Sequence, residues 1–171
     1  MFQLKPISKS AIPAALAKAE RYRLLNEPRE AESICEDILQ TDPENQNALV
    51  TRLLAITDQF GANSDVAIDD ADDLLPRLDG EYARTYYAGI VYERWGKSLV
   101  ARGVPGFAAS DWLRRAMDQF ERAESLAPRD NDDAVLRWNA CARTLIRQEH
   151  LTAETQSEDV EPNFDDEVPV F

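Results

Sequence analysis

His150 is the only histidine in the 171 residues, and a serine or cysteine nucleophile needs a buried base of that kind to take its proton. It falls at the end of a helical pattern beside an acidic stretch, so no hydrolase triad is expected. Cys35 and Cys141 each stand where a small apolar residue would also suit a helix, and neither has a second cysteine at metal-ligand spacing. The expectation is two buried, reduced thiols. Asp69, Asp70, Asp72 and Asp73 have the charge to hold a hard cation, but the glycine and distal glutamate of a calcium loop are missing. They read as a solvated helix face. Gly103-Val104-Pro105-Gly106 has neither the lysine nor the preceding strand of a phosphate loop. No catalytic, metal or cofactor residue is assigned, no cofactor is expected, and the chain reads as a non-enzyme.

The formal net charge is −13, and seven of the 32 acidic residues follow Leu151, where there is no Lys or Arg. Both the acidic end and the rest of the chain would repel a phosphate backbone, and no basic stripe with interleaved aromatics occurs, so neither nucleic acid nor an anionic membrane is an expected partner. The opening residues Met1 to Pro6 run into Ser8-Lys9-Ser10 without the apolar core of a secretory signal, and no stretch approaches membrane-spanning length. A cytoplasmic location is expected.

The elements that must position any site are helices. Ala11 to Leu25 forms a first periodic stretch behind Ser10 as a cap, with Pro13 in its first turn and Asn26-Glu27-Pro28 as its stop. Residues 28 to about 40 put Ala31, Ile34, Cys35, Ile38 and Leu39 on one face, and Thr41-Asp42-Pro43 ends them. A third helix begins at Asn45 or Gln46 and closes at Gly61-Ala62-Asn63; a fourth, capped by Ser64, runs from Asp65 to about Leu78. The fifth runs from Glu81 to about Arg102, roughly 33 Å at the helical rise. Ser110 or Asp111 caps a sixth that reaches Leu126, and Asn131 caps a seventh to about Gln148.

The same residue types recur at the same offsets. Ala31, Cys35 and Pro43 stand four and eight residues apart; Ala116, Phe120 and Pro128 repeat those offsets, and so do Ala67, Ala71 and Asp79. Ala19 precedes Tyr22 by three, as Gly89 precedes Tyr92. Leu53 and Ile56 follow Pro43 by ten and thirteen, as Trp138 and Cys141 follow Pro128. In this the chain resembles the tetratricopeptide repeat (TPR) family across roughly residues 11 to 149, with 29 to 45 as the nearest match. Small residues would let helices approach, and Tyr22, Tyr92 and Phe120 would fill the space between hairpins. Three departures are Lys18, where the pattern prefers a large apolar residue, two additional residues in the loop of the second repeat, and fifteen additional residues between Gly89 and Ala116 that lengthen the fifth helix by about two turns and add a loop from Gly103 to Ala109.

The resemblance implies an all-α, right-handed superhelical stack of about seven helices. Its parts are an N-terminal extension at 1–10, hairpins at about 11–43, 45–79 and 81–128, a capping helix at 131–148, and an acidic tail at 150–171. It also implies a groove lined by the first helix of each hairpin, which on this chain selects Leu16, Glu20, Arg23, Val50, Leu54, Asp58, Tyr86, Ile90, Glu93, Arg94, Asn139 and Arg143. The lysine and asparagine clamp with which one subclass grips chaperone C-termini is absent; Leu16, Glu20 and Thr51 occupy much of that surface. The expected function is an adaptor or scaffold that binds a peptide or protein segment of unknown identity in the groove. The alternative is a self-assembling structural protein whose acidic tail docks on itself or on a neighbour as a homo-oligomer. Residues 152 to 171, with Phe164 and Phe171 flanking an acidic run, read either as a solubilising tail or as a ligand carried on the same chain.

Overall fold

A computed structural model describes residues 2–61, 66–104 and 106–158. Among them the chain forms seven α-helices and no strand: α1 Ile12–Leu24, α2 Pro28–Thr41, α3 Gln46–Asp58, α4 Ile68–Asp72, α5 Glu81–Ala101, α6 Gly106–Leu126 and α7 Asp133–Glu158. No described helix is long and apolar enough to cross a membrane. Each helix end has a local cause. Asn26 takes a left-handed φ of 60° and lets the Glu27 N–H return to Tyr22 O at 2.9 Å, which closes α1. Asn45 caps α3, its side-chain oxygen accepting from the Ala48 N–H at 3.0 Å, and Asn131 accepts from the Asp133 N–H at the start of α7. Gly103, at φ 67°, closes α5 as the Val104 N–H reaches Leu99 O.

The helices pair as α1 with α2 and α5 with α6, while α7 lies along α6. α1 also touches α3, α3 touches α5, and α5 touches α7, so these four lie side by side with α2 and α6 behind them. The packing positions are those at the recurring offsets. Ala19, Ala31, Cys35 and Ala55 are sealed between α1, α2 and α3, and Ala116, Phe120, Ala123 and Cys141 between α5, α6 and α7. Leu53 and Ile56 are buried likewise, whereas Tyr22, Tyr92 and Trp138 are half-buried at the edges.

The α5–α6 pair is the tightest. A Cβ on Gly89 would stand 2.5 Å from the Phe120 ring, and one on Gly96 would stand 3.1 Å from Leu113 Cγ and 3.2 Å from Ala109 O. Gly89 and Gly96 are seven residues apart, and the buried α6 residues Ala109, Leu113, Ala116, Phe120 and Ala123 alternate four- and three-residue steps. This is the spacing of two helices packed nearly in line over several turns. The fifteen additional residues thus lengthen both partners: α6 starts at Gly106, one turn before the expected cap at Ser110 or Asp111, so residues 106 to 109 are helix where a loop was expected.

Three further expectations need correction. α1 has no side-chain cap at Ser10, whose hydroxyl lies 3.1 Å from that of Ser8 while Lys9–Ala11 makes a 3₁₀ turn into the helix. The fourth helix is a fragment: α4 covers Ile68–Asp72 and a separate 3₁₀ turn covers Leu75–Arg77, because Pro76 has no N–H to continue an α-helical ladder. Ala71 is buried as its offset implies, but Ala67 is exposed ahead of the helix, so the second hairpin keeps only half of its packing positions. Ser64 lies outside the described residues. Finally, α7 continues to Glu158, beyond the expected end at Gln148 and into the segment read as a tail.

The shortened α4 puts a carboxylate in a poor place. Asp72 Oδ1 is buried with no hydrogen-bond partner, and burial, reinforced by Asp69 and Asp73, lifts this carboxyl to about 6. An unfolded aspartate ionises near 3.9, so folding takes up a proton between about pH 4 and 6, and the contribution of Asp72 to stability falls as pH rises through that window. Asp72→Asn should therefore stabilise the protein by roughly 1 to 2 kcal/mol at pH 7, after allowance for its partial exposure, and by little at pH 4. Urea titrations at the two pH values check this, and an equal effect at both would show that ionisation is not the cause. Gly89→Ala should destabilise by about 1 to 3 kcal/mol through overpacking against Phe120. Ala31→Glu or Ala116→Glu, each burying an unpaired charge at a helix contact, should cost about 3 kcal/mol or more. Thermal melts that leave the Gly89 and Ala116 variants unchanged would show the α5–α6 contact to be looser than described.

Candidate functional site

The side-by-side helices α1, α3, α5 and α7 carry the candidate groove, and its centre is an ion-pair network. α3 ends at Asp58, leaving carbonyls of its last turn without intrahelical partners. Arg94 of α5 lies over this end: its Nη1 donates to Leu54 O at 3.2 Å, to Thr57 Oγ1 at 2.8 Å and to the Asp58 carboxylate. A cation at a helix C-terminus is also favoured by the helix dipole. From α1, Arg23 Nε donates to the other Asp58 oxygen at 2.8 Å. Three of the sequence-selected residues, on three different helices, are therefore one cluster. Desolvation pulls the Arg94 ionisation downward, Asp58 pulls it back up, and the charges of Arg23 and Arg137 oppose it again, which places all four groups in one electrostatic neighbourhood.

A second cluster adjoins it. Glu93 is only 1% exposed; its Oε1 accepts from Lys97 one turn along α5, and Arg137 Nη1 of α7 stands 3.7 Å from Oε2, which has no hydrogen-bond partner. Together the two clusters hold Arg23, Arg94, Lys97 and Arg137 against Asp58 and Glu93. The face is locally cationic in a chain whose formal net charge is −13. Lys97 and Arg137 are each about two-fifths exposed, while Arg23 and Arg94 retain a fifth to a quarter.

The remaining selected residues fall into three groups. Leu16, Val50 and Leu54 are half-buried; Leu54 packs against both main apolar clusters and so joins the α1–α3 part of the core to the α5–α7 part. Ile90, at 2% exposure, and Glu93 are closed off and offer a ligand almost no surface. Tyr86 is half-buried in an aromatic group, stacked on Tyr82 at 5.7 Å between centroids and edge-on to Tyr87 at 5.3 Å, with its ring 5.9 Å from that of Phe120. Glu20 is exposed and lines, with Arg23, Leu24, Asn26 and Asp58, a cleft of about 360 Å³. A neighbouring cleft of about 410 Å³ shares Asn26 and Asp58 and continues over Glu27, Pro28 and Gln59. Leu24, 88% exposed, and Leu25, 61% exposed, flank this end of the face.

Asn139 is half-buried, and Arg143 is exposed two residues beyond the buried Cys141, on the side of α7 turned away from that thiol. Arg137, not Arg143, is the arginine that α7 brings to Glu93. Sequence reading missed Arg137 and Lys97, although each had a signal: Lys97 follows Glu93 by four, a helical ion-pair spacing, and Arg137 precedes Cys141 by four on the packed side of α7.

Burial pushes the Cys35 and Cys141 thiols up to about 12, so both stay protonated at neutral pH, and His150 is exposed near the far end of α7. Among the described residues no three His, Cys, Asp or Glu side chains are grouped to hold a metal ion. The site's means are contact and charge: guanidinium and ammonium donors, tyrosine rings and apolar side chains on one face. No family model matches this chain, and neither a curated protein nor a solved structure does.

Proposed function

We propose that this chain is a TPR-like adaptor or scaffold that holds a peptide or protein segment on the α1–α3–α5–α7 face and performs no reaction of its own. The observation that carries the reading is the Arg23–Asp58–Arg94 bridge with Lys97 and Arg137 beside it: three helices contribute four cations to one surface of a chain whose formal net charge is −13. Such a surface favours a ligand with carboxylates spaced along an extended backbone and apolar side chains between them. Arg23 and Arg94 keep donor groups beyond those engaged by Asp58, since a guanidinium has five N–H bonds. The tyrosine group at 82, 86 and 87 supplies rigid, amphipathic contact area at the α5–α7 end, and Leu24 and Leu25 supply apolar surface at the other. Leu54, Asp58 and Arg94, all selected from the repeat resemblance, meet at the middle.

Capture experiments with the immobilised protein and a lysate of the native cell test this reading. Tyr86→Ala combined with Arg94→Ala should abolish capture of the partner retained by the unaltered protein while the circular dichroism spectrum stays helical. Phe107→Ser, at an 81% exposed residue in the first turn of α6, should leave capture intact. The reverse pattern would move the site to the α5–α6 turn.

A further inference from the structure

We infer that the occupant of this face in the isolated protein is the chain's own acidic segment, residues 159 to 171, docked within the same molecule. The inference rests on the proposed groove and names its ligand. The segment lies outside the described residues, and the argument is one of charge, composition and reach. Residues 159 to 171 carry five carboxylate side chains and no cation, with Phe164 and Phe171 on either side of Asp165-Asp166-Glu167. The proposed face holds Arg23, Arg94, Lys97 and Arg137 against Asp58, Glu93 and the exposed Glu20, and two of those cations, Lys97 and Arg137, are substantially exposed beside the buried Glu93. Charge complementarity therefore favours seating the acidic segment beside Lys97 and Arg137.

Reach agrees. α7 is continuous from Asp133 to Glu158, so its end stands about 32 Å along the helix from Arg137. A chain turning back at Glu158 places Asp165 to Glu167 about 23 to 30 Å along the return path at extended spacing, within one side-chain length of Arg137 and Lys97. Phe171 then comes at about 43 Å, just past the start of α7, where Asn131 of the preceding turn is bonded to Tyr82 of the tyrosine group. The acidic run meets the exposed cations while the second phenylalanine meets the tyrosines. Because the segment is tethered, a contact that is weak between separate molecules is occupied at the millimolar effective concentrations of a short linker. An external partner must displace it, so the segment acts as an internal competitor for the groove.

The test uses the full chain. Asn163→Cys carries a nitroxide label, the native thiols being buried, and amide signals are recorded at low salt. Amides around Leu54 to Asp58, Glu93 to Lys97 and Arg137 should lose most of their intensity relative to the reduced label. The loss should disappear when Asp165→Asn, Asp166→Asn and Glu167→Gln are introduced together, changes made outside the seven helices, while the circular dichroism spectrum stays helical. Unbroadened amides at these positions would overturn the inference. So would broadening that appears only when labelled, isotope-free protein is mixed with isotope-enriched protein, since the contact would then lie between molecules. Either result would leave the capture experiment with Tyr86 and Arg94 to decide the groove separately. If the inference holds, the neutralised segment should also increase capture of an external partner several-fold.

Discussion

Phe120 stands where a side chain on Gly89 would go, and much of the molecule follows from that exclusion. With no Cβ at positions 89 and 96, α5 and α6 approach over their full lengths, and the fully buried alanines and leucine of α6 complete the seam. Once α5 is held against α6 by one face, its other faces are committed. Val91 turns into the α3 side of the core, Ile90 turns toward the α7 side, and Arg94 is left over the end of α3. The position of the candidate groove is therefore a consequence of a steric fact on the opposite side of the helix.

Asp58 is the electrostatic counterpart of that seam. One carboxylate holds two arginines from helices that are far apart in sequence, and Arg94 also donates to Leu54 O in the last turns of α3. A charge in such a place serves structure and recognition together: it orders the guanidinium groups by pairing them, and it leaves them with donors to spare. Glu93 is a harsher version of the same device. Its carboxylate is nearly inaccessible and one oxygen lacks a hydrogen bond, so the ammonium of Lys97 and the guanidinium of Arg137 are held near it by charge at the rim of the face.

The second hairpin shows what happens where these constraints lapse. Pro76 interrupts the backbone ladder, α4 shrinks to Ile68–Asp72, and only Ala71 of the expected small-residue pair is buried. Contact between the two halves then falls to side chains that reach both ways: Leu54, Tyr87 and Tyr92 pack against both main apolar clusters, and Phe60 meets Trp95 edge-on at 5.1 Å. These residues link the Ala19–Ala31 region to the Gly89–Phe120 region without a full helix between them.

The sequence by itself determined the order of the helices and the approximate bounds of α1, α2, α3 and α5, though not those of α4 or the end of α7, because apolar periodicity and the capping and stopping residues act within a few positions of one another. It also determined the packing positions of the first and third hairpins: the offsets linking Ala31 to Cys35 and Ala116 to Phe120 are offsets of buried residues. For the candidate site the repeat resemblance selected Arg23, Asp58 and Arg94, and the structure brings these three into one ion-paired cluster. Only the tertiary structure decided which charges meet. Asp58 joins residues 35 and 36 positions away, Arg137 rather than Arg143 reaches Glu93, and Ile90 and Glu93 are closed off where a surface was expected. The physical reason is range: helix formation and capping depend on neighbours in the chain, whereas the pairing of charges and the exposure of a side chain depend on the rotation of one helix against another, and that rotation is set by the contact of Gly89 with Phe120.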